Sequence, residues 1–193
     1  LFFDSNKYLQ WVSNSPFVQM KKGQKVETLT IDERKEKLQD FMTKVEETSK
    51  PDASIAPGFP ASEIKDFSTT SGQVTDLDML TEKEDFFLSW IGSSLGIGLQ
   101  GGLSILFTEP EILMDLFDGW RLYRTVLNEN DSLKGNQVNT WNGQWLAHRY
   151  DKVNFYPEKP MAGFSPFEMT KEGMSVAIQS WTKVLIGIAL HFD

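Results

Sequence analysis

Ile91–Gly102, IGSSLGIGLQGG, lies inside Phe86–Phe107, a run of 22 residues without a charged side chain. Three readings compete for it. Gly96-x-Gly98-x-x-Gly101 has the spacing of a dinucleotide-binding loop. Gly92-x-x-x-Gly96 and Gly98-x-x-x-Gly102 have the spacing of membrane helix-pairing motifs. The third reading is a helix of a soluble core that ends in a glycine turn. The flanks choose among them. A dinucleotide loop follows a buried strand and opens a helix. Here Thr81-x-x-Glu84 is a capping box that starts a helix carrying Phe86, Phe87, Trp90, Ile91 and Leu95. The run is long enough to span a membrane, but TEKED (81–85) and TEPE (108–111) make both flanks acidic, and neither carries a Lys/Arg cluster. The sequence therefore predicts a capped helix ending at Gly101-Gly102, and no membrane span.

Downstream, LSILF (103–107) reads as a strand or a buried turn. Thr108-Glu109-Pro110 opens a helix, with proline suited to the first turn. It carries Ile112, Leu113, Leu116 and Phe117 and is expected to break near Asp118-Gly119, before WRLYRTVLN (120–128) and the polar turn ENDSLKGNQ (129–137). VNTWNGQWLAHRYDKVNFYP (138–157) predicts β structure, because Asn142-Gly143 is the strongest short hairpin signal. SPFEMTKEGM (165–174) is turn-rich, and 174–192 is mainly apolar without a decided type. Upstream, Thr30-x-x-Glu33 is a second capping box, heading a helix over 30–48 with one apolar stripe of Ile31, Leu38, Phe41, Met42 and Val45. Residues 49–75, with Pro51, Pro57 and Pro60, read as a long loop or boundary.

These elements predict an α+β fold, with helices packed on small antiparallel β segments in a single domain over 1–193 and a flexible loop at 49–75. The apolar end KVLIGIALHFD (183–193) suggests a fragment of a longer protein. The chain has no Cys, which excludes disulfides, thiolate metal sites and cysteine nucleophiles and points to a cytoplasmic setting. Its two histidines, His148 and His191, are too few and too distant in sequence to suggest a metal centre. No cofactor is predicted. A net charge of −8 argues against a general nucleic-acid coat but leaves room for a local basic patch.

Several side-chain sets carry chemistry. Lys21, Lys22 and Lys25 fall within five positions and suit either a solvated turn or a phosphate-facing loop. Arg121 and Arg124 would share a helical face. Arg149, Lys134, Asn136 and Gln137 add donors of the kind nucleic acid uses. Asp52, Glu63 and Lys65 have the make-up of a magnesium-dependent nuclease centre, although the intervening ASIAPGFPAS has little strand character. A Ser/His/Asp hydrolase would need Gly-x-Ser-x-Gly, which is absent. A protein-interaction module without a nucleic-acid role is a further alternative.

Taken in order, several pieces resemble the CasA-type large subunit of type I-E CRISPR Cascade complexes. YLQWVSNSPFVQM resembles a segment ending in Pro-Phe-x-Gln, here Pro16, Phe17 and Gln19. LTEKEDFFLSWIGSSLGIGLQGGLS resembles an apolar helix leading into a Gly-Gly pair. GWRLYRTVLNEN resembles a stretch represented here by Gly119, Leu122, Thr125, Leu127 and Asn128, and VNTWNGQWLAHRY a Trp-containing, Arg-bearing strand region. The resemblance covers most of this chain but only the amino-terminal domain of such a subunit. It implies a non-catalytic nucleic-acid-binding protein that works with guide RNA, target DNA and other CRISPR subunits. Lys21, Lys22, Lys25, Lys134 and Arg149 would then neutralise phosphates, with Asn136 and Gln137 as polar contacts and close backbone approach at Gly101-Gly102. The chain departs from the family in the short interval of 16 residues between Gly102 and Gly119.

Overall fold

The computed structural model describes Lys7, Lys25, residues 28–47, Glu82, Glu84, Leu88, Ile91, Gly92 and residues 94–192. The chain divides into two compact units, one of Leu1–Gln10 with Ser94–Asp193 and one of Trp11–Ser93. Helices and two small antiparallel hairpins make the α+β arrangement expected from the sequence.

In the second unit, α1 (Ile31–Glu47) starts where its capping box places it. The Thr30 amide donates to Glu33 Oε2 at 2.7 Å, and the Glu33 amide donates to Thr30 Oγ1 at 3.2 Å. Two first-turn donors are thereby satisfied reciprocally. Ile31, Leu38 and Met42 of the expected apolar stripe are all exposed. Thr30→Ala removes the cap at a cost of about 1 kcal/mol. Hydrogen exchange of the Glu33 amide is expected to quicken roughly fivefold; an unchanged rate would mean that the cap does not hold this end. The second expected capping box and the loop 49–75 lie largely or wholly outside the described residues, although Glu84, Leu88, Ile91, Gly92 and Ser94 are helical.

In the first unit the helical state ends at Ser94, not at Gly101-Gly102. The glycines instead form a hairpin of β1 (Ile97–Leu99) and β2 (Leu103–Ile105), with Ile97 opposite Ile105 and Leu99 opposite Leu103. Of the two readings left open for LSILF, the strand is the one present. Helix α2 (Pro110–Glu129) begins at the expected proline but runs unbroken through Asp118-Gly119. Its buried Ile112, Leu116, Trp120, Tyr123 and Leu127 recur at intervals of three or four, the period of a single helix with one core face.

The largest departure is at 138–157. Val138–Arg149 is a helix, α3, and Asn142-Gly143 sits in its middle. Val138, Trp141 and Trp145 are buried at helical spacing, and this periodicity overrides the local hairpin preference. Asn142 is fully buried, with every polar group bonded: it accepts from Trp120 Nε1 at 2.8 Å and donates to the carbonyls of Ser94 at 2.7 Å and Gly96 at 2.9 Å. One side chain thus ties α2, α3 and the entry to β1. Gly143 allows β1 to lie against the helix, since a Cβ there would come within 2.8 Å of the Gly98 carbonyl.

The stretches left undecided at 165–192 resolve into β3 (Phe167–Thr170), β4 (Gly173–Val176) and α4 (Trp181–Phe192). Helix α3 is central, packed against β1, α2 and α4. Helix α4 buries Val184 and Ile188, while Trp181, Ile186, Leu190 and Phe192 stay exposed. Among the described residues no helix is long and apolar enough to cross a membrane.

Candidate functional site

Two places in the first unit combine exposure with chemistry. The first is the tip of the β1–β2 hairpin. Gly101 and Gly102 both have positive φ, 83° and 73°, and no atom lies within 4 Å of where a Cβ would stand on either. The tip is exposed, yet its base is fixed: the Gln100 amide donates to the Gln179 carbonyl at 2.9 Å, and Leu99 bridges Gln179. This is bare backbone held on a rigid support, and it lets a ligand approach more closely than any side-chain-bearing turn.

The second is an open cleft of about 590 Å³ between α2, the end of α3 and the segment after it. Leu122, Trp145, Phe155, Pro157 and Pro160 supply apolar wall, and Asp118, Arg121, Thr125 and Arg149 supply polar groups. Arg149 is held on two sides. Its Nε donates to Asp115 Oδ1 at 2.9 Å, and its guanidinium carbon lies 4.8 Å from the centroid of the Phe155 ring. Asp115 is buried, so the pair is shielded from water on one side and is screened less than a surface pair. Burial, and then the Asp115 carboxylate it faces, push the Tyr150 phenol well above the usual tyrosine range; Tyr150 therefore stays neutral. By contrast, Arg121 and Asp118 are both exposed and 3.9 Å apart, a separation that contributes little.

A second, smaller hollow of about 390 Å³ lies beside His148. The imidazole stacks on Phe164 at 4.5 Å, and its Nε2 is 2.9 Å from the Pro160 carbonyl. His148 holds the 151–165 segment against α3.

Among the described residues of the first unit, Lys134, Asn136 and Gln137 lie together and Arg149 stands apart from them. Lys134 pairs with Glu172 at 3.3 Å, and Gln137 bonds Ser175 Oγ at 2.6 Å and accepts from the Val176 amide at 3.4 Å. Both anchor the β3–β4 hairpin to the start of α3. Asn136 is exposed beside them. Arg149 closes the opposite end of a helix of 12 residues, about 18 Å away along its axis. It also faces elsewhere: Gly143, which meets β1, and Arg149 are six residues apart, about 120° round the helix. Arg121 and Arg124 do not act together, because Arg124 is buried and donates to the Lys7 carbonyl at 2.7 Å. Lys25 is exposed. Lys21, Lys22 and the nuclease-like Asp52, Glu63 and Lys65 lie outside the described residues.

Sequence reasoning missed the partnership of Asp115 with Arg149 and the part played by Phe155. The signal was the i, i+4 spacing of Trp145 and Arg149, which places both on one face only if 138–149 is helical. No protein-family profile, characterised protein or solved structure matches the chain.

Proposed function

We propose that the chain is a non-catalytic nucleic-acid-binding subunit of an RNA-guided surveillance complex, contributing to target-DNA recognition and guide-RNA contact. The observation that carries this reading is the solvent-open Gly101-Gly102 tip on its fixed hairpin. Backbone amides at such a tip can meet phosphate oxygens or a groove edge without steric interference. In support, the parts within the first unit of the segments that resemble the CasA-type subunit, 94–104, 119–130 and 138–150, belong to elements packed on one another through α3, although 138–149 is a helix where the resemblance implied a strand. The cationic share of the contact falls to the lysines, with Lys134, Asn136 and Gln137 forming one cluster. Arg149, already engaged by Asp115, is not needed at the tip in this reading.

The test is anisotropy of labelled duplex DNA and guide RNA, with the chain alone and in a reconstituted complex, at about 50 and about 200 mM salt. Gly101→Ala/Gly102→Ala adds two methyl groups to open space, so the fold is expected to lose only about 1–2 kcal/mol per site from left-handed strain. Nucleic-acid affinity is expected to fall about tenfold, since each lost close contact is of the order of a charge-assisted hydrogen bond. Salt-insensitive or absent binding in both settings would favour the protein-interaction alternative. Plasmid cleavage with magnesium, lost on Asp52→Ala, would replace the proposal by the nuclease.

A further inference from the structure

The cleft beside Arg149 holds chemistry that the hairpin reading leaves unused. Asp115 occupies Arg149 Nε alone, at 2.9 Å. The two terminal nitrogens of the guanidinium have no acceptor among the described residues. They lie at the edge of a planar group whose orientation is already set, by Asp115 on one side and by the Phe155 ring 4.8 Å away. A guanidinium presented in this way offers two parallel N–H donors, the geometry that matches a carboxylate or phosphate in bidentate fashion. Holding the side chain in advance removes much of the ordering cost that a ligand would otherwise meet.

The rest of the cleft selects among anions. Asp115 neutralises Arg149, and exposed Asp118 stands 3.9 Å from Arg121. The four fixed charges sum to zero, so a dianionic phosphate monoester would meet two carboxylates for two cations. A monoanion needs only the free edge of Arg149. Leu122, Phe155, Pro157 and Pro160 are apolar wall, and the volume of about 590 Å³ falls within the range of small-molecule sites. We infer that this cleft is a binding site for a small organic monocarboxylate with an apolar body, its carboxylate on the terminal nitrogens of Arg149 and its body against Phe155 and the two prolines. Asp115 acts as a positioning residue, since its role is to hold Arg149.

Phenylacetate serves as the probe, titrated into the full chain by calorimetry, with saturation-transfer NMR reporting which ligand protons touch protein. Saturable binding is expected, with ring protons receiving more saturation than the methylene, and 2-phenylethanol, which lacks the carboxylate, binding at least about tenfold more weakly. Arg149→Lys keeps the charge but loses the fork and is expected to weaken phenylacetate about tenfold. Because that change also touches a buried partner, Thr125→Phe supplies a second variant. Thr125 is exposed at the cleft, so the fold is expected to persist by circular dichroism while phenylacetate binding is lost. The inference is overturned if folded Thr125→Phe binds phenylacetate like the parent. It is overturned equally if inorganic phosphate or an acidic peptide binds at this cleft more tightly than phenylacetate, or if no saturable phenylacetate binding is found.

Discussion

Asn142→Leu is expected to lower the stability of the unit around residues 94–192 by about 3–4 kcal/mol. The side chain has no contact with water and makes three hydrogen bonds, one accepted from Trp120 and two donated to the Ser94 and Gly96 carbonyls. Leucine has the same branched outline but leaves one buried donor and two buried acceptors without partners, each costing about 1–3 kcal/mol. The added apolar surface recovers about 1–2 kcal/mol. The deficit remains large. It corresponds to a fall in Tm of roughly 15–25 °C for a unit of this size, measurable by calorimetry.

Asn142→Asp separates hydrogen bonding from size. A carboxylate can still accept from Trp120, but it faces two carbonyl oxygens and has nothing to donate. Burial and those oxygens hold the folded-state pKa of the new group above its unfolded value of about 3.9. Stability is then retained below that unfolded value, where the carboxyl is protonated in both states, and is lost as pH rises through the folded value. The Tm gap between the parent and Asn142→Asp should widen from about pH 4 to pH 7. A gap that stays flat over that interval would contradict the assigned role of Asn142.

How much of this was legible beforehand varies with the origin of each signal. The Thr30-Glu33 cap is local, and its hydrogen bonds form as the spacing requires. The start of α2 at Pro110 is local in the same way. The α+β class follows from such elements. The reading failed where a glycine serves another part of the chain. Asn142-Gly143 and Asp118-Gly119 look like turns because glycine and asparagine favour turns in isolation. In the fold, Gly143 makes room for the Gly98 carbonyl and Asn142 bonds residues 46 and 48 positions away. The glycine-rich opening stretch failed for a related reason. Its helix stops at Ser94 because the segment after it becomes a strand laid on α3, a helix formed more than 40 residues later. The candidate cleft inherits that difficulty. Asp115 and Arg149 are 34 residues apart and meet only when α2 and α3 are both continuous.

Gly119 supplies the other large expected effect. It lies inside α2, where alanine is intrinsically better than glycine by about 1 kcal/mol. On an exposed helix, Gly119→Ala would be stabilising. Here a Cβ would stand 2.4 Å from Trp145 Cδ1 and 2.7 Å from Cγ and Nε1 of the same ring. The indole cannot withdraw easily, because its Nε1 donates to the Asp115 carbonyl at 2.7 Å and the residue is only 2% exposed. Beside it, Trp141 Nε1 donates to the Gly119 carbonyl itself at 2.9 Å, so the helix backbone is also held in place. Relief requires α2 and α3 to separate, with overpacking of this kind costing up to about 3 kcal/mol. Against the propensity gain, the net expectation is a loss of about 2 kcal/mol for alanine and more for valine. Denaturant titration decides between the two effects, since the midpoint rises if propensity dominates and falls if the Trp145 contact does. Gly119→Ala combined with Trp145→Phe tests the cause directly. The smaller ring makes room for the methyl group, and the alanine should then cost much less in the Trp145→Phe background than in the parent. An equal cost in both backgrounds would place the strain somewhere other than the Gly119–Trp145 contact.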